Sequence, residues 1–148
     1  FLQFIQSDHG GTKYVVEYCN LFVVDHVNHL SLEHAIKLSD ALLLNNNDNG
    51  KSHIEKFSLL DTFCHVEAFQ IIWNALLETG VPYVKLRPQF SENRDGGNNN
   101  NNTINFTGLS TNTSVKQLDF DGGCMSQQNW RNLFISIKGN TGLEKLKI

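Results

Sequence analysis

The chain lacks most of what would announce an activity. Nowhere in its 148 residues does an apolar run approach the roughly 18 needed to cross a bilayer. Phe1-Leu-Gln-Phe-Ile carries neither a basic leader nor a small-residue cleavage site, so no signal peptide is expected there. The glycine pairs Gly10-Gly11, Gly96-Gly97 and Gly122-Gly123 are not followed by the Lys-Ser/Thr or the third glycine that a phosphate cradle needs. Arginine occurs only at 87, 94 and 131, and a formal net charge of −3 gives no global attraction to nucleic acid or to an acidic membrane.

Cysteine is scarce and odd in number. Cys19, Cys64 and Cys124 form no Cys-x-x-Cys pair, which reads as reduced thiols in a cytoplasmic protein. Three Asn-x-Ser/Thr sequons, at Asn101, Asn105 and Asn112, stand against that, but two arise where an asparagine tract produces such matches by chance. Cys64-His65 are sequence neighbours and not an assembled thiolate and imidazole. His26, His29 and His34 lie close together with Asp25 and Glu33 beside them, yet no cysteine pair accompanies them, and the segment falls in a strand-to-helix loop. No metal, cofactor, small-molecule substrate or catalytic residue is expected.

What is present is a repeated phrase. Val115-Lys-Gln-Leu118-Asp-Phe120 and Leu143-Glu-Lys-Leu146-Lys-Ile148 both spell apolar-x-x-apolar-x-apolar, and Leu118 and Leu146 are 28 residues apart. Between them, Ser126 to Gly139 carries apolar residues at helical spacing, with Ser126 as N-cap and Gly139 as C-cap. The same phrase is read earlier in Tyr18-Cys-Asn-Leu21-Phe-Val23, in Ile54-Glu-Lys-Phe57-Ser-Leu59 and in Val81-Pro-Tyr-Val84-Lys-Leu86. Helical stripes follow at 31–42, opened by Ser31, and at 66–77, closed by Gly80. Pro82 is tolerated because the first positions of the phrase belong to the turn entering the strand.

Asparagine-rich inserts near 45–52 and 95–103 lengthen two intervals, and removing about seven residues from each restores the period. After the second insert only Ile104, Phe106 and Leu109 remain to build the outer layer, so the helix there should be short. Residues 1–13 form an N-terminal segment whose role is open, and 14–148 form the repeat region. The absence of an initial Met and the phrase that closes the chain point to a fragment of a longer protein.

A strand and a helix recurring at this period resemble the ribonuclease-inhibitor-like leucine-rich repeat proteins, over roughly residues 15–148. The resemblance implies an α/β solenoid, with parallel strands on the concave side and helices on the convex side. It also implies an Asn or Cys after each strand bonding to the neighbouring loop, a place filled by Asn28, Cys64 and Cys124. An ordinary α/β domain would have strands buried on both faces; here charged residues alternate with apolar ones and leave one face polar.

Reading the outward positions down the stack gives three rows: Asn20, Lys56, Tyr83, Gln117 and Lys145; Phe22, Ser58, Lys85, Asp119 and Lys147; and Val24, Leu60, Arg87 and Asp121. Phe22, Val24 and Leu60 would make an apolar corner, and Lys56, Tyr83, Lys85 and Arg87 a basic and aromatic centre of the kind that anchors interfaces. The expected function is non-catalytic binding of another protein, one with an acidic and partly apolar surface. The partner-binding residues are Lys56, Tyr83, Lys85, Arg87, Gln117, Asp119, Lys145 and Lys147. The alternative is the repeat region of a GTPase-activating or other signalling protein whose effector part lies elsewhere, as the resemblance allows.

Overall fold

In a computed structural model of the chain, the structure describes residues 15–16, 21–25, 29–44, 54–90, 103–121 and 125–148. Both asparagine-rich inserts, residues 1–13, Asn28 and Cys124 lie outside them. For the strands at 15–16 and 21–25 the backbone course alone is described.

The elements run β1 (Val15–Val16), β2 (Leu21–Asp25), α1 (Leu32–Leu44), β3 (Lys56–Cys64), α2 (Val66–Thr79), β4 (Tyr83–Phe90), a 3-10 turn (Thr107–Ser110), β5 (Gln117–Phe120), α3 (Gln127–Gly139) and β6 (Lys145–Lys147). The fold is mixed α/β. One sheet holds the strands in chain order, β1 to β6. β1 pairs antiparallel with β2, and every later neighbour is parallel.

The repeated phrases stand beside one another in register. Phe57 pairs with Val84, Val84 with Leu118, and Leu118 with Leu146. Their side chains at Phe57, Leu59, Val84, Leu86, Leu118 and Phe120 are buried in one core with the inner stripes of the helices. That burial is what fixes the phase, because a slip of one residue would turn every apolar side chain to the other face.

In β2 the register is shifted by one residue from the expected stack. Leu21 pairs with Lys56 and Phe22 with Phe57, so Phe22 and Val24 do not share rows with Ser58 and Leu60, and the apolar corner is not formed as expected. Leu21-Phe-Val-Val24 is apolar throughout, so alternation gives this strand no phase.

Two strands also run further than the phrase. In β3, Leu59 pairs with Leu86 and Thr62 with Pro88, so Leu60 and Asp61 together oppose Arg87 in a bulge, with Asp61 at φ 45°. The bulge resets the alternation, and Thr62 and Cys64 are buried where the old phase would have exposed them. β4 continues through Pro88, which lies beyond the Leu86 and Phe120 pair that ends its register with β5 among the described residues.

The helices begin and end where their caps dictate. The amide of His34 donates to Ser31 Oγ (3.2 Å), and that of Asn129 to Ser126 Oγ (3.2 Å). Gly80 closes α2 at φ 71°, in the left-handed region that favours glycine. Gly139, expected as the cap of α3, is instead its last helical residue, and Asn140 terminates the helix, its amide bonding to the Ile137 carbonyl (2.9 Å).

The third interval contains no α-helix among the described residues. Its outer layer is the 3-10 turn with Ile104, Phe106 and Leu109 buried, as the short apolar set requires. Phe106 fills the gap, packing edge-on against Trp73 (5.4 Å) and Phe120 (6.1 Å).

The turns that lead into β5 and β6 are locked by a pair of asparagines. Asn112 Nδ2 donates to the Leu77 carbonyl (2.8 Å), while its Oδ1 accepts from the amides of Ser114 (3.0 Å) and Val115 (2.8 Å). Asn140, 28 residues later, repeats the pattern: Nδ2 donates to the carbonyls of Leu109 and Asn112 (2.6 Å for the latter), and Oδ1 accepts from Gly142 (2.8 Å) and Leu143 (2.5 Å). Each side chain thus ties its own turn to the preceding one. Gly142 permits the closeness, since a Cβ there would sit 2.5 Å from Thr113 Cα.

With two bonds donated and two accepted, Asn140→Ala is expected to cost about 2–4 kcal/mol, at roughly 1 kcal/mol per bond. Asn140→Asp keeps the acceptor but sets a carboxylate oxygen against the carbonyls of Leu109 and Asn112, and should lose at least as much. Urea unfolding of the three proteins checks the order.

Candidate functional site

One face of the sheet carries the helices. The other is free of them among the described residues, and it holds the alternate side chains of β3 to β6. Strand register sets these in rows. Lys56 pairs with Tyr83, Tyr83 with Gln117 and Gln117 with Lys145; Ser58 pairs with Lys85, Lys85 with Asp119 and Asp119 with Lys147. The eight expected binding residues are therefore brought onto one surface, and Arg87 continues the line of β4 two positions beyond Lys85. Asn20, from the first expected row, lies outside the described residues.

The rows are held by light contacts. Lys56 Nζ sits 4.6 Å from the centre of the Tyr83 ring, a cation–π contact between register partners, worth about 0.5–1 kcal/mol near solvent. Lys147 Nζ is 3.8 Å from Asp119 Oδ2, and Arg87 Nε is 3.8 Å from Asp121 Oδ2. Both distances exceed hydrogen-bond reach, and Arg87 Nε has no hydrogen-bond partner. Lys85 and Lys145 have no ion pair among the described residues. Exposed pairs of this kind contribute about 0–1 kcal/mol, so the cations can leave their present neighbours for a partner at little cost.

Tyr83, Gln117, Leu118, Asp119, Lys145 and Lys147 line a shallow cavity of about 140 Å³ on this face. Except for Leu118, these are residues singled out from the repeat pattern. Of the side chains, Asp119 is the most sunken charge, 13% exposed against 68% for Lys147. Ser58 is buried and adds little reach. A wider depression of about 800 Å³ on α3 is lined, among the described residues, by Trp130, Arg131, Phe134 and their helical neighbours.

Cys64 is buried in the core, and burial pushes its thiol up to about 12, away from the reactive thiolate. His29 and His65 meet edge to face at 5.1 Å, while no group of three His, Cys, Asp or Glu side chains among the described residues is placed to hold a metal ion. No described helix is long and apolar enough to cross a membrane.

The asparagine pair was the residue set that reading the phrases missed. Of the residues expected to bond after each strand, Asn28 and Cys124 lie outside the described residues and Cys64 is buried; the bonds of Asn112 and Asn140 lie ahead of the strand. The signal was available: Asn112-Thr-Ser-Val115 and Asn140-Thr-Gly-Leu143 both place Asn-Thr three residues ahead of the first apolar position.

The chain matches no family model, no curated protein and no solved structure. The case for what it does therefore rests on its own geometry.

Proposed function

We propose that the chain is a non-catalytic protein-interaction module, a solenoid of the leucine-rich repeat kind. It would take a protein partner on the helix-free face of its sheet, which such a coil makes concave, and its free, buried Cys64 suits the cytoplasm. The observation that carries this reading is the convergence, by register alone, of five cations and an aromatic ring on one surface of a chain whose net charge is −3. Asp119 and Asp121 offset only two of those charges. The surface therefore attracts an acidic partner, and Tyr83 and Arg87 are of the types that anchor interfaces. The parallel sheet beneath is stiff, so little ordering entropy opposes docking.

A photoreactive amino acid placed at 83, 117 or 145 tests the assignment in cells. Covalent adducts with one common protein are expected from those three positions and not from 36 or 135, where Ile36 and Ile135 are exposed on the helices. Adducts confined to the helix positions would reject it.

A further inference from the structure

The charges of the helix-free face alternate strand by strand. β4 presents Lys85 and Arg87, β5 presents Asp119 with Asp121 one residue past its end, and β6 presents Lys145 and Lys147. Register places Lys85, Asp119 and Lys147 side by side, and Arg87 reaches toward Asp121. The surface is thus an acidic stripe between two basic ones, sunken at Asp119, which is 13% exposed, and open at Asp121, which is 61% exposed. Strands lie about 4.8 Å apart, so the basic stripes are separated by about 10 Å.

A uniformly acidic surface would meet Asp119 and Asp121 with repulsion. An extended chain laid along β5 projects its side chains alternately up and down and presents a single line of contact. An α-helix is about 10–12 Å across with its side chains and carries residues on both flanks at once. Its i and i+4 positions rise by about 6 Å, close to the spacing of about 6.6 Å between Lys85 and Arg87, two residues apart on a strand.

Resting on the reading of this face as the binding surface, we infer that the partner element is an α-helix lying along β5. It carries acidic residues on both flanks, over β4 and β6, and lysine or a neutral hydrogen-bond donor on the ridge between them. The two ion pairs now spanning the stripes, each at 3.8 Å, exchange their charges for those of the helix.

The probe is a constrained helical peptide with a lysine ridge between two glutamate flanks, compared with an isomer of identical composition whose glutamates are gathered on the ridge, and with polyglutamate as the extended arm. Fluorescence anisotropy at low salt against the 148-residue chain is expected to show the flanked peptide binding at least about tenfold more tightly than either. Asp119→Asn with Asp121→Asn should bring the ratio between the isomers close to one without preventing binding.

Equal binding of the isomers to the unaltered chain, tighter binding of polyglutamate, or no binding of the flanked peptide would each overturn the helix. The broader reading is tested separately. Peptides that bind without discrimination, yet are released by Lys85→Glu with Arg87→Glu, would leave the face as the binding surface while removing the stripe recognition.

Discussion

Truncating Leu118 to alanine is expected to destabilise the protein by about 2–5 kcal/mol, while the same change at Leu146 costs less than about 1 kcal/mol. The two leucines hold the same place in successive phrases and differ only in what lies beyond them. Leu118 is 1% exposed and Leu146 37%. Leu118 has α3 and β6 laid over its coil, and its neighbour Phe120 packs edge-on against Trp130 at 5.9 Å. Removing its side chain leaves a cavity that the surrounding strands cannot close. Leu146 already meets solvent, so its loss forfeits part of one contact. Native stabilities of about 5–15 kcal/mol make the first effect large enough to read directly from urea midpoints. Equal costs at the two sites would mean that β6 is not the outer edge of the core.

The same pair shows why so much of the fold was legible. An apolar position repeated every 27 or 28 residues, or 34 across the second insert, needs a neighbour at each step, and sequential parallel stacking supplies it, so the pattern alone aligns Phe57, Val84, Leu118 and Leu146. Caps followed from local chemistry at Ser31, Ser126 and Gly80. The candidate surface followed from alternation, because the residues between buried positions must face the other way.

What escaped the reading did so for physical reasons. Leu21 to Val24 has no polar partner to set its phase, and β2 accordingly pairs one residue away from the expected register. The bulge at Asp61 depends on a backbone angle that no side-chain pattern reports. β4 runs through Pro88 where its pairing with β5 has ended at Phe120, a fact of tertiary structure that no local pattern reports. Gly139 met a competitor in Asn140, whose side chain gains four bonds by terminating the helix one residue later.

Charge reversal at the centre of the face is the second large effect expected. Lys85→Glu with Arg87→Glu replaces two cations by two anions beside Asp119 and Asp121, so an acidic partner meets repulsion where it had attraction. Losing well-formed charged contacts at an interface costs about 2–5 kcal/mol each, so affinity should fall at least about a hundredfold. The fold should tolerate the change. Arg87 gives up only a pair at 3.8 Å, and new like-charge neighbours across the strands cost about 0.2–1 kcal/mol each. A fall of a few degrees in melting temperature is the consequence. Arg131→Glu with Lys138→Glu, exposed on α3, makes the same change in net charge away from the face and serves as the control.

Affinity for the protein captured by cross-linking, measured by calorimetry for the unaltered chain and both double variants, bears most directly on the central claim. Loss of binding confined to the Lys85 and Arg87 pair, with the α3 control unchanged, is the expected result. Undiminished binding by Lys85→Glu with Arg87→Glu, or its loss in the control alone, would contradict the placement of the interaction on the sheet.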